Sequence, residues 1–335
     1  MKTILVTGGA GFIGSNFIEY ILKKYSSYSI INLDKLTYAA NLDNLNDIHK
    51  KVSYSFFQGD VCDNEIIKRI ISACKITDIV HFAAESHVDN SIRSCDSFAK
   101  SNILGTMTIL DIMKKMNFKG KFIQISTDEV FGSLNLNENS YFNENSHYNP
   151  KNPYSATKAS ADMLVKSYHA TYKLNTNIVN GSNNYGPNQH TEKFIPTIIK
   201  HALNNSSIPI YGNGENIRDW MYTKDFCYAI DLVLHNSSPG EQYVVGTNTE
   251  IRNIDLVNQI CDILDELMPK EDNTSYKEQI SFVDDRLGHD LRYAIDSDKI
   301  RYSLGWEPQI SFDEGIRETV IHYLGLWEQG KLHAR

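Results

Sequence analysis

The sequence predicts an α/β protein: a doubly wound parallel sheet with a smaller domain toward the C-terminus. Two observations carry that expectation. Short apolar runs alternate with stretches of helical spacing up to Asn180, and beyond it the texture changes to turn-rich segments. Short apolar runs suit strands buried on both faces, and a helix between successive strands returns the chain for parallel pairing.

The expected strands are Thr3–Thr7, Ser29–Leu33, Tyr54–Gln58, Asp78–Phe82, Lys121–Ser126 and Thr176–Asn180, within a sheet of six or seven. Gly14–Lys24, Asn64–Ala73, Ile103–Met116 and Ser155–Tyr172 lie between them with helical spacing. Asn183–Pro187, Tyr211–Gly214 and Arg286–Asp290 carry the Asn, Gly and Pro residues of turns, and the Asn-rich stretch Glu138–Asn149 reads as an exposed loop.

A length of 335 residues gives room for one large and one smaller domain. Hydrophobic residues at 41% and charged residues at 22% fit a globular chain and argue against disorder or a membrane protein. A net charge of -8 argues against a nucleic-acid-binding surface. Five scattered cysteines without a C-x-x-C point to buried free thiols, so neither disulfides nor a metal site is expected. The N-terminal apolar run is too short for a secretory signal, and no segment reaches the ~20 apolar residues of a membrane helix. A cytoplasmic protein is expected.

The first strand runs into Gly8-Gly9-Ala10-Gly11-Phe12-Ile13-Gly14 and then a helix, which is where backbone N–H groups and the helix dipole hold a dinucleotide pyrophosphate. Gly8 permits the tight turn, Gly11 a close approach to phosphate, and Gly14 contact between helix and strand. This G-x-x-G-x-x-G spacing is the short-chain dehydrogenase variant of the Rossmann-type fold. Asp34 ends the second strand, where a carboxylate accepts bonds from ribose hydroxyls and repels a 2′-phosphate; NAD is therefore expected over NADP, despite Lys35. Residues 1–180 are read as the NAD-binding domain, with a return segment at about 220–250, and 181–335 as mainly the substrate-binding domain.

Tyr154 and Lys158 stand four residues apart on one helix face. A nearby ammonium favours phenolate, so Tyr154 is expected to be a base with a lowered pKa. Ser126-Thr127-Asp128-Glu129 closes the fifth strand at the carboxyl end, where open α/β sheets bind ligands. Thr127 offers a hydroxyl. Asp128 and Glu129 offer paired carboxyls suited to acid and base roles, which plain alcohol oxidation does not need.

Through Gly8–Ser15, Leu36–Ala39, Ala83–Asp89, Ser126–Val130, Tyr154–Lys158, Ser182–Pro187, Arg218–Trp220 and Gly288–Asp296 the chain resembles the dTDP-glucose 4,6-dehydratases, a family of extended short-chain dehydrogenases. The Ser-Thr-Asp-Glu run is the most specific part, because related 4-epimerases lack the Asp-Glu pair and related decarboxylases typically keep only the Glu. The resemblance implies a hydro-lyase acting on dTDP-glucose. In it, Tyr154 takes the C4 hydroxyl proton as hydride passes to NAD⁺, Glu129 removes the C5 proton, protonated Asp128 assists loss of the C6 hydroxyl as water, and hydride returns to C6. The 4-keto-6-deoxy product belongs to rhamnose-type deoxysugar synthesis.

The same resemblance implies cofactor contacts from Phe12, Ile13, Lys35, Leu36, Thr37, Asp60, Val61, Phe82, Ala83, Ala84, Ser86, Ser101 and Asn184, beside the glycines, Asp34, Tyr154 and Lys158. It implies substrate contacts from Ser86, Thr127, Asn183, Lys193, Phe194, Pro209, Ile210, Tyr211, Arg218, Asn253, Arg286 and His289, and a homodimer through Ile103–Met116 and Ser155–Tyr172. The chain departs from the family at Asn180-Gly181, usually Arg-Cys, at Leu287, usually Pro, and in Tyr243–Thr247, which leaves the base, thymidine or uridine, open. A UDP-sugar 4-epimerase or decarboxylase of the same fold, or a non-catalytic NAD-binding regulator, are the alternatives. Asp128 argues against the first two, and the presence of all four catalytic candidates argues against the third.

Overall fold

Ile4 and Val6 belong to one buried cluster and Leu5 to another, so alternate residues of the first strand face opposite sides of its sheet. In the computed structural model, which describes residues 1–332, that sheet has seven strands. From edge to edge they are Gln242–Val245, Thr176–Gly181, Phe122–Thr127, Asp78–His81, Thr3–Thr7, Ser29–Asp34 and Tyr54–Gln58, and every neighbouring pair is parallel. Helices Phe12–Lys24 and Thr223–Asn236 pack on one face through Phe17, Ile21, Phe226 and Ile230. Asn64–Ala73, Gly105–Lys115 and Pro153–Tyr172 pack on the other through Ile67, Ile109 and Val165. The doubly wound expectation holds, with the order reversing between Thr3–Thr7 and Asp78–His81, where a crevice opens at the carboxyl ends.

A second core gathers helices Phe194–Leu203, Asn253–Leu267 and Phe312–Glu328 around Ile195, Ile199, Leu256, Ile260 and Ile316. Its strands are short. Asn183–Tyr185, Ile217–Tyr222 and Glu250–Arg252 form one sheet, and Ile208–Tyr211 with Ile280–Val283 another. The chain passes between the cores repeatedly, since Ser182 alone separates Thr176–Gly181 from Asn183–Tyr185, and Tyr222 is followed at once by helix Thr223–Asn236.

Helix Pro153–Tyr172 starts two residues before the expected Ser155, because Pro153 occupies its first turn and Asn152 Oδ1 accepts the Ser155 N–H at 2.9 Å. The Glu138–Asn149 stretch is pinned where an exposed loop was expected. Phe142 is buried against Phe131, its N–H donates to Ala294 O, and Arg292 donates to Glu138 O and Ser140 O. Of the five free cysteines, Cys227 and Cys261 are buried, whereas Cys62, Cys74 and Cys95 are partly exposed.

Candidate active site

The first strand's turn is closed by contacts that exclude side chains. Gly8 has φ +72°, and a Cβ there would lie 2.6 Å from Ala83 N; one on Gly14 would lie 2.4 Å from Gly8 O. A Cβ on Gly11 would crowd Gly8 O, at 3.3 Å, and Gly11 lines the cavity at a helix N-terminus. Asp34 accepts the Ala10 N–H at 3.0 Å and the Leu36 N–H at 2.8 Å, which ties the acidic residue to the glycine turn, and burial raises its pKa. Lys35 is engaged with Asp60 at 2.8 Å.

A cavity of about 320 Å³ follows this turn, lined by every expected cofactor residue except Leu36. Leu36 has φ +60° and its amide is spent on Asp34, so it shapes the loop without lining the cavity. An adjoining cavity of about 300 Å³ shares Ser86, Glu129, Asn183, Asn184 and Lys193 with the first. It is further lined by Phe194, Pro209, Tyr211, Arg218, Asn253, Arg286 and His289. Ile210 is absent from this lining and is only 1% exposed: in a strand whose side chains alternate, it points into the second core between Pro209 and Tyr211.

Thr127, Asp128, Glu129, Tyr154 and Lys158 all line the first cavity. Thr127 Oγ1 donates to Asp128 Oδ1 at 3.2 Å and accepts the Glu129 N–H at 3.3 Å, closing the turn after the strand. Asp128 is 1% exposed and its Oδ2 has no partner. Burial, then the neighbouring Glu129, lift its carboxyl well above the usual range, which favours its protonated form. Glu129 accepts the Ser155 hydroxyl at 2.9 Å, which fixes one carboxylate oxygen on the helix that carries Tyr154.

The electrostatics of Tyr154 run opposite to the sequence expectation. Burial, and then Glu129 and Asp128, raise its pKa well above the ordinary value. Lys158 does not offset them: its Nζ donates to Ile125 O at 2.6 Å, and burial lowers its own pKa to about 8.

In the second cavity, Arg218 donates to Asp290 O at 2.8 Å and stacks on Tyr293 at 4.3 Å, whereas Arg286 Nε is buried without a partner. Lys193 donates to Ser86 O at 2.8 Å. His289 meets Asp285 at 2.6 Å, and burial lowers its pKa to about 4. Sequence reasoning missed Glu192, which lines both cavities with Oε1 buried and unpartnered; its signal was its place beside Lys193. It also missed Tyr293, whose ring reaches the second cavity from more than a hundred residues beyond Glu129. Among the described residues no group of three or more His, Cys, Asp or Glu side chains could hold a metal ion, and no helix is long and apolar enough to cross a membrane.

The family described as GDP-mannose 4,6 dehydratase matches residues 5–319. A dTDP-glucose 4,6-dehydratase from Salmonella typhimurium is 46% identical over 338 residues, covering 96% of this chain and 92% of the relative. The crystal structure of a Bacillus anthracis dTDP-glucose 4,6-dehydratase in complex with NAD superposes with a TM-score of 0.89 at 42% identity, covering 99% of this chain and 100% of that one. A Streptomyces venezuelae dTDP-glucose 4,6-dehydratase, also with NAD bound, gives a TM-score of 0.90 at 39% identity, with 98% of each chain covered. Sequence and structure agree over nearly the full length, and the chain belongs to the dTDP-glucose 4,6-dehydratase family.

Proposed function

We propose that this chain is an NAD-dependent hydro-lyase that converts dTDP-glucose to dTDP-4-keto-6-deoxyglucose for deoxysugar synthesis of the rhamnose type. The carrying observation is Asp128, buried and with a bare oxygen, next to Glu129 in the cavity that Tyr154 also lines.

The residues present fit NAD. Gly11 lines the cavity at a helix N-terminus without a side chain in the way of a pyrophosphate, Asp34 opposes a 2′-phosphate, and Lys35, which could have welcomed one, is held by Asp60. When bound, NAD supplies reversible oxidation at the sugar carbon beside it. The chain's own side chains do the rest. Thr127 orients the C4 oxygen and Tyr154 receives its proton; the raised pKa of Tyr154 makes the phenolate a strong base once formed, and a cationic ring nearby favours its formation. A C4 ketone acidifies the C5 hydrogen, which Glu129 takes. Asp128 gives its proton to the C6 hydroxyl, which departs as water. In the adjoining cavity, Arg218 and the unpartnered Arg286 Nε suit a nucleotide diphosphate.

The seven-stranded core thus serves the cofactor and the second core the nucleotide sugar. Two protomers associate through the helices of 103–116 and 155–172, where Leu104, Met163 and Tyr172 are exposed. Unpaired cysteines accord with a cytoplasmic enzyme. Purified protein incubated with dTDP-glucose, with and without added NAD, should yield an alkali-detectable 4-keto sugar faster than it does from UDP-glucose. Recovery of unchanged dTDP-glucose in both arms would refute the reading.

A further inference from the structure

Lys158 and Asp162 follow Tyr154 at intervals of four residues, so all three share one face of helix Pro153–Tyr172. Asp162 is fully buried, lines neither cavity, and has no part in the chemistry above. Its Oδ2 accepts from Ser126 Oγ at 2.7 Å, Asn180 Nδ2 at 3.2 Å and Tyr148 OH at 3.3 Å, while Oδ1 has no partner. A helix that needed only to pack on a sheet would carry an apolar residue there, since a buried carboxylate with a bare oxygen is costly.

The partners explain what the carboxylate holds. Ser126 immediately precedes Thr127, and the Asn180 amide that reaches Asp162 also donates to Thr127 O at 3.1 Å. Lys158 Nζ holds Ile125 O, so three successive residues leading into Asp128 are fastened to this helix or to Asn180. Gln242 braces the cluster from the edge strand, donating to Asn180 Oδ1 at 2.7 Å and to Tyr148 OH at 3.1 Å. Asn180 brings an amide without charge. Burial raises the Asp162 pKa, and Lys158, the bonds from Ser126 and Asn180, and the half-buried Lys166 oppose that rise.

We propose that Asp162 is a positioning residue: it fixes Ser126 directly and Thr127 through Asn180 in register with Tyr154, and its charge acts on Tyr154 and Lys158 along the same helix face. The role rests on the dehydratase reading for its chemistry and on these bonds for its geometry. The groups that bear on Tyr154 are Glu129 and Asp128 from the turn after the strand and Asp162 from its own helix; Lys158 is faced by Asp162 and by His81 from the adjacent strand. The Asp162 charge raises both Tyr154 and Lys158.

Two measurements on the NAD-loaded enzyme test the role. The first titrates the Tyr154 phenolate by absorbance, as the difference from a Tyr154→Phe protein. Asp162→Asn removes the charge, so the midpoint should fall by about one pH unit; coincidence with the wild-type midpoint would overturn the electrostatic part. The second measures turnover of dTDP-glucose. Ser126→Ala keeps the charge and loses one tether, so kcat should drop about tenfold with KM within about threefold and the phenolate midpoint unmoved; an unchanged kcat would overturn the positioning part. If Asp162→Asn does not fold, Asn180→Arg places a cation beside the carboxylate and should likewise lower the midpoint, with no movement counting against the role. Wild-type protein that leaves dTDP-glucose untouched would sink the dehydratase reading, whereas the phenolate titration judges the role of Asp162 without turnover.

Discussion

Burial and the adjacent Glu129 favour the protonated form of Asp128, and the two chemical steps assigned to the site depend on that proton unequally. Asparagine at this position preserves shape and cannot donate a proton to a leaving hydroxyl. Asp128→Asn should slow water loss by about 100-fold or more while C4 oxidation, followed as transient NADH absorbance in a single turnover, falls less than about fivefold; equal slowing of both steps would reject the assignment. At this scale the sequence was most legible where residues that act together are close along the chain. Thr127, Asp128 and Glu129 are contiguous, and Tyr154 and Lys158 are one helical turn apart. It was least legible where burial sets the chemistry. The raised Tyr154 and the lowered Lys158 follow from desolvation, which no spacing reveals. Ile210 was misjudged because reading Pro209–Tyr211 as one segment ignored the alternation of a strand.

Among the elements, two of the helices that begin with polar caps differ in what the cap reaches. The Asp63 carboxylate accepts the Glu65 and Ile66 N–H groups at the start of Asn64–Ala73 and bonds no side chain of the site. Asn152 caps Pro153–Tyr172, and its Oδ1 lies 2.9 Å from the Ser155 hydroxyl oxygen, whose single proton it shares with Glu129. Asp63→Ala and Asn152→Ala should each cost about 1 kcal/mol in urea unfolding, but only the latter should lower dehydratase kcat, by about threefold to tenfold. Equal activities would mean that Ser155 finds its orientation without the cap. Six of the seven strands of the large sheet were legible to within a residue, since buried runs bounded by turns have clear ends, whereas Gln242–Val245 was covered only by the return segment at about 220–250. Asn183–Tyr185 and Glu250–Arg252 were not legible, being three residues each and paired with a strand distant in sequence.

For the whole molecule, buried carboxyls shape the response to pH. Burial raises Asp219 to about 6, against an ordinary 3.8. Between about pH 4 and 6 the folded chain therefore keeps a proton that the unfolded chain has lost, and stability falls as pH rises through that window, by about 1.4 kcal/mol per pH unit for this group. Asp219→Asn does not titrate. Its lost bonds to Thr247 and Thr249 give an offset that does not vary with pH, so its urea midpoint should improve relative to wild type from pH 4 to pH 7. Parallel curves for the two proteins would show that Asp219 is ionised throughout.

Ser182 is the only residue between a strand of the large sheet and a strand of the small one, and at Tyr222 even that spacer is missing. Such junctions leave little flexible backbone between the two cores, so any swing of one against the other would have to be taken up at the ends of strands and helices. No single cut of the backbone would leave two pieces able to fold alone, because the strand that completes the first sheet, Gln242–Val245, is delivered from beyond most of the second core's strands.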